Sequence, residues 1–152
     1  MKKLVIFSEE SVFSGVIKCG IAEVVDSLAL SLAENYDTFV VCKKGELAPA
    51  QKIAELVEIE PNIFYDKFLQ VHYYLISEEA WPEAAYQIID KIKPDILHNF
   101  DDPALISRLN SIPKQTIYTF DDMEYLKNKI ESLKKYNIIT TFSKEYTKYV
   151  LE

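Results

Sequence analysis

The first part of the chain combines short apolar runs with one amphipathic segment. Residues 3–8 form a short apolar run, which is typical of a buried strand. From Ile21 the apolar residues recur at helical spacing to about Asn35, and a second apolar run follows at residues 38–42. The pattern therefore predicts a strand, a helix and a second strand.

Residues 45–79 show no single periodicity. Residues 53–59 fit either a helix or a strand, and the apolar residues 68–76 look like a β segment. The sequence leaves the fold of this part open.

A regular alternation of helices and strands resumes at Trp81-Pro82. The helix predicted there carries an apolar face formed by Trp81, Ala85, Ile88, Ile89 and Ile92. The elements predicted after it are strand 96–98, helix 103–109, strand 116–119, helix 123–133, strand 138–141 and helix 144–151. This alternation predicts an α/β fold in which helices cover both faces of a parallel sheet.

The composition fits one globular domain over residues 1–152. No repeat, linker or biased stretch divides the chain, and 49% of its residues are hydrophobic. The net charge of −7 argues against nucleic acid and anionic lipid as partners. The first apolar run is far shorter than the roughly 20 residues that span a bilayer. We therefore expect no membrane segment.

The two cysteines, Cys19 and Cys42, lie in different predicted elements and follow no secretory signal. Both are therefore interpreted as thiols in a reducing cytoplasm.

Ligands of such folds bind beyond the carboxyl ends of the strands, where the strand order reverses. The strand exits predicted here are residues 8–20, 99–103, 120–123 and 142–144. At the first of them Gly20 precedes a helix whose free N–H groups can hold an anion, although glycines also serve simply as turns. Lys18 beside it is either a ligand contact or a solvated surface lysine.

The later exits carry a histidine and pairs of acids. His98 ends a predicted strand, where it is either a ligand contact or a hydrogen-bonded core residue. Asp102 is predicted to cap the next helix, which leaves Asp101 without an assigned role. Asp121 and Asp122 repeat this arrangement, and Glu9-Glu10 form a third pair. This acidic rim fits a sugar hydroxyl, a cation or no ligand at all.

Several motifs with well-understood chemistry are missing from the chain. It contains no zinc-ligand spacing, no GxxxxGK[ST], no GxSxG and no GxGxxG. Two histidines in the whole sequence leave little room for base catalysis. The sequence therefore assigns no catalytic residue, no metal site and no cofactor.

Taken in order, five segments resemble the N-terminal domain of glycogen and starch synthases, which are retaining glycosyltransferases built from two Rossmann-like halves (the GT-B fold). The family's K-T-G-G-L-A-D-V-V loop is similar to residues 18–25, and its P-D-I-(V/I)-H-x-H-D segment to residues 94–101. The H-D-V, T-(V/I)-H-N and T-V-S segments are similar to residues 36–41, 119–122 and 141–143.

The chain departs from the family pattern at functional positions. Asp121 stands where the family has the histidine of T-(V/I)-H-N, and Phe100 replaces the second histidine of H-x-H-D. When Gly20 is matched to the second glycine of the loop, Cys19 replaces the first glycine and Ile17 occupies the lysine position. The family's C-terminal half, which binds most of the sugar nucleotide, is expected in cis or in trans.

The resemblance implies glucosyl transfer from ADP- or UDP-glucose to an α-glucan, with this chain inactive as an isolated half. It implies substrate contacts from Lys18, Gly20, His98, Asp101 and Asp121. A sugar nucleotide and an α-glucan are the implied partners in the full-length context.

Two alternatives stand beside this interpretation. The first is a non-catalytic Rossmann-like domain that binds a glucan or a protein, which the substitutions favour. The second is a receiver-type signalling domain, whose phosphoacceptor follows the third strand within about 60 residues of the start. The long middle segment and the late aspartates argue against the signalling domain.

Overall fold

The computed structural model describes residues 1–12, 20–45, 56–100, 102–120 and 130–141. Its strands are β1 (Lys3–Ser8), β2 (Asp37–Lys43), β3 (Val57–Glu60), β4 (Ile63–Phe68), β5 (Val71–Ile76), β6 (Ile96–Asn99), β7 (Gln115–Phe120) and β8 (Ile138–Thr141). The helices are α1 (Gly20–Leu32), α2 (Glu83–Ile92), α3 (Leu105–Arg108) and α4 (Ile130–Leu133). Lys18, Cys19, Asp101, Asp121 and the predicted helix 144–151 lie outside the described residues.

The strands form one eight-stranded sheet in the order β3-β4-β5-β2-β1-β6-β7-β8. The six strands from β5 to β8 in this order are parallel to one another. Strand β4 runs antiparallel to both of its neighbours, β3 and β5, so the fold is α/β with a mixed sheet. The prediction of a wholly parallel sheet is therefore wrong at one edge. The tight turns that join β3, β4 and β5 can connect only antiparallel neighbours.

The predicted β segment 68–76 contains the last residue of β4, a two-residue turn and the whole of β5. Phe68 pairs with Val71 across a turn made by Leu69 and Gln70, which have φ angles of 45° and 67°. Positive φ at both central residues is the geometry of a tight hairpin turn. Neither residue type favours this geometry, which is why the sequence pattern runs across the turn without interruption.

The sheet separates two hydrophobic cores. Alternate side chains of β1 point to opposite faces, so that Leu4 and Ile6 pack with α1. On the other face Val5 and Phe7 pack with α2 and α3. Helices therefore cover both faces, as the sequence predicts.

Helices α1 and α2 confirm the helices predicted from Ile21 and from Trp81, and α4 matches the end of the predicted helix 123–133, whose residues 123–129 lie outside the described ranges. Helix α2 buries Ala85, Ile88, Ile89 and Ile92, and Trp81 packs partly buried against the same core. The predicted helix 103–109 is shorter than expected, with Ala104 at its N-cap position. Asp102 instead accepts a hydrogen bond from the Ala104 N–H at 3.0 Å, which forms a turn ahead of the helix.

Replacing Gln70 by glycine should stabilise the fold, because glycine adopts a positive φ without steric cost. We expect Gln70→Gly to raise the free energy of unfolding by about 1 kcal/mol in urea denaturation. The control is Gln87→Gly on the exposed side of α2, which should lower it by about 1 kcal/mol. Destabilisation by both substitutions would contradict the turn geometry.

Candidate functional site

The strand order reverses between β1 and β6. Strands β2 and β5 follow on one side of this point, whereas β7 and β8 follow on the other. The chain therefore leaves the carboxyl ends of β1 and β6 in opposite directions, which opens a crevice above them. The Phe100 N–H donates to the Phe7 carbonyl at 3.1 Å and closes the sheet beneath this crevice.

Gly20 begins α1 on the polypeptide that leaves β1. The residue is exposed, and a Cβ atom added to it would meet no other heavy atom within 4 Å. Packing therefore does not require glycine here. Helix α1 has 13 residues, and the aligned peptide dipoles of a helix of this length place a partial positive charge at its start. This helix end is suited to an anionic group.

His98 lies on β6, one position before the end of the strand, on the face that α1 covers. Its Nε2 atom is 2.7 Å from Thr119 Oγ1 on β7, and the Thr119 hydroxyl is in turn hydrogen-bonded to Thr140 on β8. The imidazole stacks on Phe100 with the ring centroids 4.5 Å apart. Burial lowers the pKa of His98 to about 4, so the ring is neutral at physiological pH.

A buried polar network surrounds the exit of β6. Asn99 is fully buried and donates to the Tyr136 hydroxyl at 2.6 Å and to the Asp102 carbonyl. The Asp102 N–H donates back to Asn99 Oδ1 at 3.1 Å, and the Tyr86 hydroxyl donates to Asp102 Oδ2 at 2.7 Å. Burial and the Asp102 carboxylate raise the pKa of Tyr86 above its ordinary value. These bonds fix the loop that leaves β6.

A second network joins the carboxyl ends of β1 and β2 to the segment after β5. Lys43 Nζ lies 3.0 Å from Glu9 Oε1 and 3.2 Å from Glu78 Oε1. The same ammonium lies 5.9 Å from the ring centroid of Trp81, which stacks on Phe7. Burial opposes the charge of Lys43, but the two carboxylates outweigh it and raise the pKa of Lys43. Glu9 thus neutralises a lysine at the rim of the crevice.

Helix α1 carries a buried carboxyl group on the other face of the sheet from Trp81. Asp26 accepts a hydrogen bond of 2.7 Å from the Tyr73 hydroxyl of β5. Burial raises the pKa of Asp26, although this hydrogen bond opposes the shift. Cys42 is a free, buried thiol, and burial raises its pKa to about 12. A thiol with so high a pKa is not a nucleophile at neutral pH.

Of the five predicted contact residues, the described part of the chain contains Gly20 and His98. Gly20 is exposed at the start of α1, the helix that follows β1. His98 is partly buried on β6, the strand next to β1. Asn99, Tyr136, Lys43 and Trp81 were not predicted as site residues. The pairing of β1 with β2 and β6 brings Lys43 and Asn99 to the crevice, and local sequence motifs do not reveal such pairing.

The described residues contain no cluster of three or more histidine, cysteine, aspartate or glutamate side chains suited to a metal ion. None of the helices in the described ranges is both long and apolar enough to cross a membrane.

No protein-family model matches the sequence, and no curated protein matches it either.

The burial of His98 predicts a pH-dependent stability. Its pKa is about 4 in the folded protein against an ordinary 6.5, so the unfolded chain binds a proton that the folded chain excludes. This contribution to stability is complete above pH 6.5 and is lost as the pH falls towards 4. The loss is about 3 kcal/mol for a shift of this size.

The measurement is urea denaturation across this pH range for the wild type and His98→Gln. The difference in free energy of unfolding between the two proteins should change with pH, because glutamine does not titrate. A constant difference would contradict the assignment of a neutral, buried His98. The carboxylates and His72 are common to both proteins and cancel in the comparison.

Proposed function

We propose that this chain is a Rossmann-like domain of the kind that forms the N-terminal half of glycogen synthase-like retaining glycosyltransferases. The parallel strands, numbered by their order along the chain, run third-second-first-fourth-fifth-sixth across the sheet. This is the strand order of the doubly wound dinucleotide-binding fold. Strands β3 and β4 extend that arrangement at one edge. The order supports the proposal at the level of the fold.

The observation that carries the functional proposal is the exposed start of α1 at the switch point. In this proposal the start of α1 at Gly20 faces the phosphates of ADP- or UDP-glucose, and Lys18, two residues earlier in the sequence, would contact them. A helix N-terminus at a switch point is a recurrent way to bind phosphate. His98, Asp101 and Asp121 would line the sugar site.

Glucosyl transfer needs a second half that supplies most of the donor site. We propose that a C-terminal glycosyltransferase half acts with this domain in cis or in trans, and that an α-glucan is the acceptor. The isolated chain is then expected to bind without turnover. No residue of this chain is assigned a catalytic role, and the proposed compartment is the cytoplasm.

A second candidate is a non-catalytic domain that binds a glucan or a protein partner. The geometry of His98 favours it, because the Nε2 atom is already hydrogen-bonded to Thr119 and the ring is stacked on Phe100. A histidine held in this way supports the strand instead of meeting a substrate directly. The two candidates differ in whether a sugar nucleotide binds at the start of α1.

The test is an NMR titration of the chain with ADP-glucose and, separately, with a maltooligosaccharide. The amides of Gly20 and Asn99 report on the crevice. Those of Leu69 and Gln70, in the turn at the opposite edge of the sheet, serve as an internal reference. The glycosyltransferase proposal expects the crevice amides to shift with ADP-glucose while the reference amides stay in place.

A matched pair of variants sharpens this result. Gly20→Asp places a carboxylate where the donor phosphates would lie, in open space and at a helix end that favours acidic residues. We expect it to weaken ADP-glucose binding at least about tenfold by like-charge repulsion. Ser27→Asp, on the exposed side of the same helix, adds the same charge and should leave binding unchanged.

Each outcome separates the candidates. Shifts with the glucan alone would support an acceptor-side or glucan-binding domain without a donor contact. No shift with either ligand would reject both forms of carbohydrate binding and leave a protein partner to be tested. Equal effects of Gly20→Asp and Ser27→Asp would reject the start of α1 as the donor site.

A further inference from the structure

Three polar side chains are joined by hydrogen bonds at the end of the sheet where the parallel strands begin, opposite the crevice. The Nε2 atom of His72 lies 3.2 Å from Asp37 Oδ1, and its Nδ1 atom lies 2.8 Å from the Tyr65 hydroxyl. Asp37 is the first residue of β2, whereas His72 and Tyr65 lie on β5 and β4. The hydrogen bonds Asp37–His72–Tyr65 therefore link three adjacent strands.

The register of the strands brings these residues together. His72 pairs with Phe39 on one side and with Lys67 on the other. Because residues two apart on a strand share a face, Asp37 and Tyr65 flank His72 on the same side of the sheet. The Phe39 ring stacks on the imidazole at 4.5 Å between centroids and holds its orientation.

The hydrogen bonds determine the tautomer of His72. An ionised carboxylate only accepts hydrogen bonds, so the Nε2–H donates to Asp37. The Nδ1 lone pair is then left to accept the proton of the Tyr65 hydroxyl. An acid orients the imidazole, and the imidazole faces a hydroxyl as a base. This is the relation of acid, base and nucleophile in hydrolytic triads, with a phenol as the hydroxyl.

Burial keeps this base in its neutral form. Burial lowers the pKa of His72; Asp37 on β2 opposes this shift, and Lys67 on β4 adds to it. Burial also raises the pKa of Tyr65, and the neighbouring Tyr74, Asp66 and Asp37 raise it further. Tyr65 is thus a protonated phenol at neutral pH. It can react as a nucleophile only when a base removes its proton during the attack.

We propose that Asp37, His72 and Tyr65 form a nucleophilic site in which the Tyr65 hydroxyl accepts an acyl group from an activated ester. The phenolic oxygen forms a bond to the acyl carbon, and the bond from that carbon to the leaving alkoxide or phenolate oxygen breaks. The phenolic proton passes to His72 Nδ1 and from there to the leaving group. Tyr65 is only partly buried, which leaves room for the ester to approach. This site does not depend on the function proposed for the crevice.

The test treats the intact chain with p-nitrophenyl acetate and maps the acetylated tyrosines by tryptic digestion and mass spectrometry. Tyr65 is the only tyrosine between Lys52 and Lys67, so its peptide reports on it alone. Tyr74 is the reference, because its ring lies 5.0 Å from that of Tyr65 but the His72 nitrogens bond elsewhere. We expect Tyr65 to be acetylated about tenfold faster than Tyr74.

Two variants separate base assistance from a structural role. His72→Gln keeps a hydrogen-bonding side chain but removes the base, and should lower the Tyr65 rate to that of Tyr74. Asp37→Asn should lower the Tyr65 rate severalfold, since it no longer fixes the tautomer. Acetylation of Tyr74 should be unchanged in both. Equal rates at the two tyrosines in the wild type, or no effect of His72→Gln, would overturn the proposal.

The pH profile of the wild type provides a test that needs no variant. Acetylation of Tyr74 through its phenolate should rise about tenfold per pH unit below its pKa. Acetylation of Tyr65 through neutral His72 should stay nearly constant above pH 6.5 and fall only in more acidic solution. A parallel rise at both tyrosines would show that His72 does not act as the base.

Discussion

Strand β1 takes part in both hydrophobic cores and in hydrogen bonds to both of its neighbours. Val5, Ile6 and Phe7 have no exposed surface, because α1 covers one face of the strand and α2 the other. A strand buried on both faces needs apolar side chains at successive positions, instead of an alternation of apolar and polar residues. The strand also pairs with β2 on one side and β6 on the other, so the direction of all the parallel strands follows from it.

The same central position produces the crevice. Because the chain crosses from β1 to β2 on one side and later returns to β6 on the other, the connections at the carboxyl ends diverge above β1. Polar networks then fix the two walls, one through Lys43 and Glu9 and the other through Asn99 and Asp102. The crevice is thus a consequence of strand order, and its chemistry depends on which side chains the diverging loops contribute.

The sequence predicted the elements whose periodicity is local. Strand β1, helix α1 and the apolar face of α2 all follow from spacing within a few residues. The β4–β5 hairpin was not predicted, because Leu69 and Gln70 carry no turn signal and the apolar run continues across them. The network of Lys43 with Glu9 and Glu78 was also missed, since partners 34 and 35 residues apart meet only through strand register. Gly20 and His98 were proposed as contact residues because the strand exits on which they lie are visible in the pattern, and their contact with a substrate stays a prediction.

The two histidines show why residue type alone does not assign a role. Both are neutral because burial lowers the pKa of each. Around His98, the described partners are a threonine hydroxyl and a stacked phenylalanine, which satisfy the ring without orienting it towards an ionisable group. Around His72, a carboxylate fixes one nitrogen and directs the lone pair of the other at a phenol. Only the second arrangement couples an acid, a base and a hydroxyl. His72 and Tyr65 come from the middle part of the chain, whose fold the sequence pattern leaves open, and strand pairing joins them to Asp37 at the start of β2.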